Sequence, residues 1–266
     1  MFSDITIILL LYKTPLKLMK NLKRLKEFRI IILDQSNDFH FKKKITKFLP
    51  KIKNYTLSKK NKGFAKGINI LAKKVKTKYF FCTQPDILID KKSILELKKT
   101  LLKNKKNSIA AVPLINKKRV SLRDIEINHM IGASFLCYKK RFIEVGMFDE
   151  DFFFYWEDIE FSKRIKEFGY KIYQSQKSKA LHFNGNSSEE NYKTAFIRSN
   201  NFLFGELVYD FKCDKLRIIK ILRKCVQSIF LILINIFLLK YKKMNINFAK
   251  LYGIVKFLLF IIKKYL

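Results

Sequence analysis

Ile5-Thr-Ile-Ile-Leu-Leu-Leu11, near the start of the chain, is apolar apart from one threonine and largely β-branched. Such a run reads as a strand covered on both faces, the condition of strands in a parallel sheet. No Lys or Arg precedes it and no small-residue cleavage site follows, so it reads as a buried first strand and not as a secretory signal.

Working outward, Thr14 and Pro15 supply an N-cap and a first helical residue, and Leu18, Leu22 and Leu25 predict a helix to about Phe28. Residues 29–33 form a second strand ending in the polar turn Asp34-Gln35-Ser36-Asn37-Asp38. A basic helix with Ile45 and Phe48 and a short strand at 55–57 repeat the unit. Residues 61–74 read as a glycine-rich loop feeding a helix with Phe64, Ile68, Leu71 and Val75 on one face. Strand 78–82 leads into Thr83-Gln84-Pro85-Asp86, after which Ser93 caps a helix carrying Ile94, Leu97 and Leu101. This alternation predicts an α/β fold, an open and mostly parallel nucleotide-binding sheet flanked by helices. Ligands of such sheets sit beyond the carboxyl ends of the strands, where Asp34, Asp38 and Asp86 fall.

The second half reads as a polar loop at 116–128, a strand at 133–138, a short helix to Val145 and the break Gly146. A helix with Ile159, Ile165 and Phe168 closes at Gly169, and a strand at 171–173 with a turn to His182 follows. The character changes near residue 212, giving a catalytic part at 1–211 and a basic, apolar helical extension at 212–266.

The 266 residues are 48% hydrophobic, enough for one full core. Lys and Arg number 56 against 22 Asp and Glu, a net charge of +34 that favours an anionic partner. Nucleic acid, anionic lipid and sugar diphosphate all qualify, and the Lys, Ile, Asn and Phe usage also matches an AT-rich genome. A nucleic-acid binder would interleave basic residues with exposed aromatics; here the aromatics gather around acids, so nucleic acid is not the expected partner. Cys82, Cys137, Cys213 and Cys225 form no CxxC pair, which argues against a zinc module or disulfide framework and for a reducing cytosol.

In the extension, the apolar runs 226–239 and 254–262 fall short of the roughly 18 to 20 residues of a spanning helix. They read as an interfacial helical pair, with Lys240, Lys242 and Lys243 placed to meet anionic headgroups. The expected location is cytoplasmic, peripheral at the inner face of the plasma membrane. A helical hairpin packed on the domain or a dimer contact is the alternative.

The segment Gly146-Met-Phe-Asp-Glu-Asp-Phe-Phe-Phe-Tyr-Trp-Glu-Asp-Ile-Glu-Phe carries the chemistry. Asp149, Glu150, Asp151, Glu157 and Asp158 lie among four aromatics and the single tryptophan, Trp156. A desolvated carboxylate is costly unless it binds a cation or transfers a proton. Glu157 and Asp158 also fall near a helix N-terminus, which favours the ionised form, and an ionised carboxylate can take a proton from a hydroxyl.

These residues resemble the inverting family 2 glycosyltransferases of the GT-A fold, particularly the rhamnosyltransferase-like branch. The matched pattern is Gly146, Phe148, Asp149, Glu150, Phe152, Phe153, Glu157 and Asp158, joined in order by Tyr12, Asp34 and the loop of Asn61, Gly63, Phe64, Gly67 and Asn69. The resemblance covers about residues 4–190 and implies transfer of a sugar from a nucleoside-diphosphate sugar to a hydroxyl of a glycan or lipid-linked acceptor. It implies that Tyr12, Asp34, the 61–69 loop, Gln84 and Asp86 bind the donor, with Asp34 on the nucleobase. Asp158 is implied as general base beside Glu157, and Asp149, Glu150 and Trp156 as acceptor contacts. Asp86 and His182 are implied to hold a divalent cation, Mg²⁺ or Mn²⁺, on the diphosphate. Gln84 stands where strict members have a second Asp, which weakens the metal site and keeps open a catalytically impaired, membrane-bound assembly partner. Oligomerisation is compatible with this reading.

Overall fold

The computed structural model describes residues 3–48, 52–118, 120–183 and 191–265. They divide into two compact units, Met1–Asp149 with Asp158–Glu189, and Glu150–Glu157 with Glu190–Leu266.

The first unit is built on β1 (Ile5–Leu11), β2 (Arg29–Asp34), β3 (Ile52–Leu57), β4 (Tyr79–Thr83), β5 (Ile87–Ile89), β6 (Ser108–Ile115), β7 (Ile125–Ile127), β8 (Ser134–Tyr138) and β9 (Lys171–His182). Helices α1 (Phe39–Phe48), α2 (Phe64–Lys74), α3 (Lys91–Lys103), α4 (Lys139–Glu144) and α5 (Glu157–Glu167) accompany them. Among the described residues the nine strands form one sheet in the order β3-β2-β1-β4-β8-β6-β9-β5, with β7 on β9. The β3-β2-β1-β4 half is parallel, as the alternating pattern predicts. From there β8 runs antiparallel to β4 and to β6, and β5 and β7 run antiparallel to β9, so the second half is mixed. Because β8 enters antiparallel, its first residue pairs with the last of β4, Ser134 with Thr83. The loop before β8 therefore lies at the end of the sheet where Asp86 emerges.

Several elements differ from the sequence reading, each for a local reason. The first helix is a 3₁₀ helix over Leu16–Leu25, entered from Pro15 with no side-chain cap from Thr14. Its buried residues Met19, Leu22 and Leu25 are spaced three apart, the 3₁₀ period. Helix α3 is capped by Asp90, whose carboxylate accepts the Ser93 N–H at 2.7 Å; Ser93 lies inside the helix. Strand β9 continues to His182 where a turn is expected, because Ser175, Gln176 and Ser178 are buried polar residues that hydropathy does not reveal as strand.

The sheet core contains Ile7, Leu9, Ile32, Phe81, Leu97 and Leu136. A second, aromatic cluster joins Phe80, Phe135, Phe142, Phe148 and Phe161, with near-perpendicular rings 5.1 Å apart for Phe80–Phe142 and 5.0 Å for Phe142–Phe161, an arrangement that suits the ring quadrupoles. Arg164 on α5 grips the turn that follows α4: its guanidinium donates to the carbonyls of Val145 and Met147 and pairs with Glu160. Gly146 and Met147 both have positive φ there, 93° and 60°, so the turn needs this clamp as well as its glycine.

The second unit consists of α6 (Tyr192–Lys212), α7 (Ile218–Phe237) and α8 (Tyr241–Tyr265) with the short segment Glu150–Glu157. Helix α6 starts in a capping box between Asn191 and Thr194. The division falls at residue 190, ahead of the compositional change at 212, because α6 packs its Leu203, Leu207 and Val208 with Ile254 and Phe257 of α8. Phe152 joins the same cluster. Lys212 reaches Asp151 at 2.5 Å and Lys264 bonds the same carboxylate. Burial alone would push Asp151 up, but the two lysines outweigh it and hold the carboxyl below its usual range.

Helices α6 and α8 touch at Gly253, where an added Cβ would lie 2.7 Å from the Asn200 carbonyl oxygen. A backbone atom cannot swing aside, so Gly253→Ala is expected to destabilise this unit by about 2 kcal/mol, the scale of overpacking. Urea unfolding followed by helical circular dichroism checks it, and an unchanged midpoint would refute the close approach.

The C-terminal helices are longer than the uninterrupted apolar runs suggest, 20 residues for α7 and 25 for α8, because Lys and Asn interrupt the runs without ending the helices. Among the described residues α8 is long and apolar enough, over Tyr241–Lys264, to cross a bilayer. This corrects the expectation that both segments are too short.

Candidate functional site

Three residues past the end of β4, Asp86 enters β5, whose antiparallel register on β9 sets Ile87 opposite His182. The Phe183 N–H donates to the Asp86 carbonyl at 3.0 Å, and Asn116 clamps the His182 backbone through two bonds of 2.9 Å. This brings the His182 Nε2 to 3.4 Å from Asp86 Oδ2. Asp86 is completely buried, and neither carboxylate oxygen receives a hydrogen bond among the described residues. The hydroxyls of the cross-strand pair Thr83 and Ser134 are also buried and without partners there. Burying a carboxylate without donors is strongly unfavourable, so this position is suited to a cation.

No group of three or more His, Cys, Asp or Glu side chains gathers among the described residues, which at this position offer a cation Asp86 and His182. Mg²⁺ characteristically takes one or two carboxylates and completes its shell with substrate phosphate and water. One bare carboxylate beside one imidazole fits an ion shared with a diphosphate. Gln84, half-buried, supplies no charge.

Asp158 stands in the first turn of α5. Its Oδ2 accepts the Gly132 N–H and its Oδ1 the Ile159 N–H, both at 2.9 Å. Ser162 ties the same loop down, donating to the Asp158 carbonyl at 2.6 Å and accepting the Met130 N–H at 3.1 Å. Burial raises the Asp158 pKa; the Gly132 and Ile159 N–H groups and nearby His129 oppose the shift without cancelling it. The carboxylate is thus held more basic than an ordinary aspartate.

Gly132 connects the parts of the site. A Cβ there would sit 3.4 Å from both Asp158 Oδ2 and the Phe64 ring, and its carbonyl lies 3.8 Å from Cys82 Sγ on β4, the strand that delivers Asp86. Phe64 and Asp158, far apart in sequence, therefore meet at one glycine carried on the strand-end side of β4. Sequence reasoning missed both Gly132 and His129. Their signal is the position of His129-Met-Ile-Gly132 directly before β8, which becomes informative once β8 is known to run antiparallel to β4.

A glycosyl transferase family 2 profile matches residues 10–160, a span that contains Tyr12, Asp34, the 61–69 loop, Asp86 and Asp158. The chain belongs to glycosyl transferase family 2. No curated protein sequence matches it significantly. Among solved structures, GalNAc-T7 with UDP, GalNAc and Mn²⁺ superposes at a TM-score of 0.64 and 14% identity over 79% of this chain and 48% of that one. Residues 1–349 of TarS from S. aureus superpose at 0.54 and 14% identity over 75% of this chain and 65% of that one. The family 2 chain thus shares their GT-A fold and spans about half the length of GalNAc-T7 and about two thirds of the TarS fragment.

Within this family 2 chain the remaining expected donor residues separate by what their side chains already hold. Asp34 is completely buried, accepting the Ser36 N–H on Oδ1 and the Tyr55 hydroxyl on Oδ2, each at 2.8 Å. Burial and this carboxylate push the Tyr55 hydroxyl far up. These two bonds tie Asp34 to the turn after β2 and to β3. Gln35, which the sequence reading passed over, staples the glycine loop: its Oε1 accepts the Lys62 N–H at 2.7 Å and its Nε2 donates to the Gly63 carbonyl at 3.2 Å. Gly63 has φ 84° and donates its N–H to Asn61 Oδ1 at 2.9 Å, closing the turn. Gly67 is a packing glycine, since a Cβ would fall 2.6 Å from the Leu10 side chain. Asn69 is buried and holds Phe148 by both backbone groups, at 2.8 and 3.1 Å. It thereby ties α2 to the start of the acidic motif. Tyr12, half-buried at the end of β1, stays on the ligand side of the sheet.

In the acidic motif, Asp149 is half-buried, Glu150 exposed and Glu157 buried at the start of α5. Trp156 packs within the helical unit, its ring 5.8 Å from Phe202 and 5.4 Å from Tyr209 and its Cδ1 close over Gly205. This packing anchors the segment on α6. Tyr155 and Trp156 both have positive φ, 72° and 73°, an arrangement that bulky residues adopt only when packing enforces it.

Proposed function

We propose that the protein transfers a sugar from a nucleoside-diphosphate sugar to a hydroxyl with inversion at the anomeric carbon. Two observations carry this reading: a buried Asp86 at the end of β4 whose carboxylate oxygens receive no hydrogen bond among the described residues, and a more basic Asp158 bonded to Gly132 in the loop that leads into β8. Asp158 takes the acceptor proton, and the Gly132 N–H aims its carboxylate. Asp86 and His182 would hold a divalent cation, which would supply stabilisation of the charge growing on the leaving diphosphate. Gln35 and Asn61 set the loop over the nucleotide; Asp34 and Asn69 hold the frame. The resemblance of the Gln84-x-Asp86 turn to the rhamnosyltransferase-like branch supports a rhamnose donor and an acceptor in cell-surface polysaccharide synthesis. Incubating purified protein with Mg²⁺ or Mn²⁺ and a panel of sugar nucleotides tests this. Release of nucleoside diphosphate from one donor supports it, and release from none refutes it.

We also place the chain at the cytoplasmic membrane surface through α7 and α8. Leu222, Val226, Phe230, Leu233 and Phe237 recur at helical spacing on α7 and are all exposed, with Phe237 at 87%. Lys240, Lys242 and Lys243 flank them, the composition of an interfacial helix. Removing everything past residue 214 would strip α8 from α6, so point changes test the idea better. Val226, Phe230, Leu233 and Phe237 changed together to Ser are expected to weaken sedimentation with phosphatidylglycerol vesicles by on the order of 10-fold or more. Unchanged sedimentation would remove the membrane placement.

A further inference from the structure

At the β5 edge of the sheet lies a groove of about 840 Å³ that the transfer chemistry proposed above leaves unused. Four stretches of chain far apart in sequence bring basic side chains to it. Arg24 comes from the 3₁₀ helix, Lys92 from α3, Lys117 and Lys118 from the loop after β6, and Lys177 and Lys179 from β9. The lining holds a single carboxylate, Asp90, and its Oδ1 already accepts the Ser93 N–H at 2.7 Å. None of the six cations pairs with a carboxylate among the described residues. The excess of lysine in the composition does not by itself produce this. Elsewhere on the same unit lysines find acidic partners: Lys91, the neighbour of Lys92, pairs with Glu27, Lys98 meets Asp4 at 2.7 Å, and Lys171 meets Glu126 at 2.6 Å. A concave surface lined by one sign of charge focuses the field and concentrates counter-ions.

Residue type and position narrow the ligand. Five of the six cations are lysines, point charges without the planar fork that grips one carboxylate or phosphate, and all six are exposed. Such a set recognises charge distributed along a chain. The uncharged lining is aliphatic, with Leu181 of β9 opposite Leu88 of β5 and 52% exposed. No aromatic ring is among the described residues that line the groove, whereas single-stranded nucleic acid is held by stacking on aromatics. The groove also adjoins the cation position. Leu88 stands two residues past Asp86, Leu181 directly precedes His182, and Asn116, another lining residue, clamps the His182 backbone. We propose that this groove binds an anionic glycan, one bearing carboxylate or phosphate groups, and that this glycan is the acceptor chain. Its part as acceptor rests on the function proposed above; its binding stands on the groove alone.

The full-length protein is titrated into fluorescein-labelled polygalacturonate, a carboxylate glycan, and into labelled dextran phosphate, with fluorescence anisotropy as the readout. Unmodified dextran and a single-stranded thymidine oligonucleotide are the comparisons. Both anionic glycans are expected to bind more tightly than either comparison, and the tighter of the two identifies the anion. Lys117→Gln, Lys177→Gln and Lys179→Gln together should weaken binding about 10-fold, the scale of three exposed ion pairs. Lys43→Gln, Lys44→Gln and Lys47→Gln remove the same charge from α1, which packs on β3 at the opposite edge of the sheet. That variant should stay within about 2-fold of the parent, because salt screens charges so far from the groove. Lys117→Arg, Lys177→Arg and Lys179→Arg together should bind like the parent, which separates lost binding from lost folding. An equal loss in the α1 variant, no loss in the groove variant, dextran bound as tightly as its phosphate, or the oligonucleotide bound more tightly than both glycans would each overturn the proposal. Release of nucleoside diphosphate is followed in the same preparations. If the parent releases none, the transferase reading fails while the binding result stands by itself; if it releases nucleoside diphosphate and binds neither glycan, the groove proposal alone fails.

Discussion

Asp158→Asn is expected to cut turnover by on the order of 10²-fold or more while the protein stays folded. An amide cannot take the acceptor proton, and its loss removes the one group at the Gly132 loop whose basicity is raised by burial. The fold should survive because Asn keeps one acceptor oxygen, although its NH₂ must face one of the two N–H groups, of Gly132 or Ile159, that the carboxylate now satisfies. The pH profile supplies a second readout. Activity requires the ionised carboxylate, so kcat/KM should fall as pH drops through the Asp158 pKa. Because that pKa is raised, the acid limb should lie above the ordinary aspartate value of about 3.9. The sign for stability is opposite to that of an ion-paired aspartate: ionisation of Asp158 costs folding energy as pH rises through its folded pKa. Near-normal turnover in the variant, or an acid limb that the variant retains, would assign the base elsewhere.

Asp86→Asn should be comparably severe in activity and opposite in stability. The parent keeps a fully buried carboxylate with no hydrogen bond to either oxygen among the described residues, and the His182 Nε2 lies 3.4 Å from it. Neutralising that group should raise the melting temperature in the absence of divalent cations. Adding Mn²⁺ should raise the melting temperature of the parent, by about 2.7 kcal/mol of stability at a hundred times the dissociation constant, and leave the variant unmoved. Turnover should fall on the order of 10²-fold, as expected when the charge stabilisation on a leaving group is lost. A parent indifferent to Mn²⁺ would remove the cation from Asp86, whatever the activity of the variant.

The parts of the molecule legible in the sequence are those where burial and hydropathy coincide. β1, β2 and β4 are apolar runs inside the sheet, and α2 and α3 show their faces at helical spacing. β9 was legible only at its start, since Ser175, Gln176 and Ser178 are buried by strand pairing and not by their own hydrophobicity. The candidate site divides in the same way. Asp86, Asp158, Phe64 and His182 stand out in the sequence by residue type and order. A motif cannot show which internal bonds a side chain makes: those of Asp34 go to Ser36 and Tyr55, and those of Asn69 to Phe148. Gly132 was hidden for a topological reason: its nearness to Asp158 follows from the reversed direction of β8.

The chain leaves the sheet unit at Asp149, contributes eight residues to the helical unit, and returns at Asp158. Phe152 and Trp156 within that excursion are packed among α6 and α8. The C-terminal helices are consequently not a detachable module. Grafting a different tail after residue 190 onto this catalytic part would leave two large aromatic side chains without their packing, immediately before the proposed base. Exchange of such tails between related chains therefore has to carry the 150–157 segment with it, so that any change of membrane target is inherited together with the residues leading into the catalytic helix.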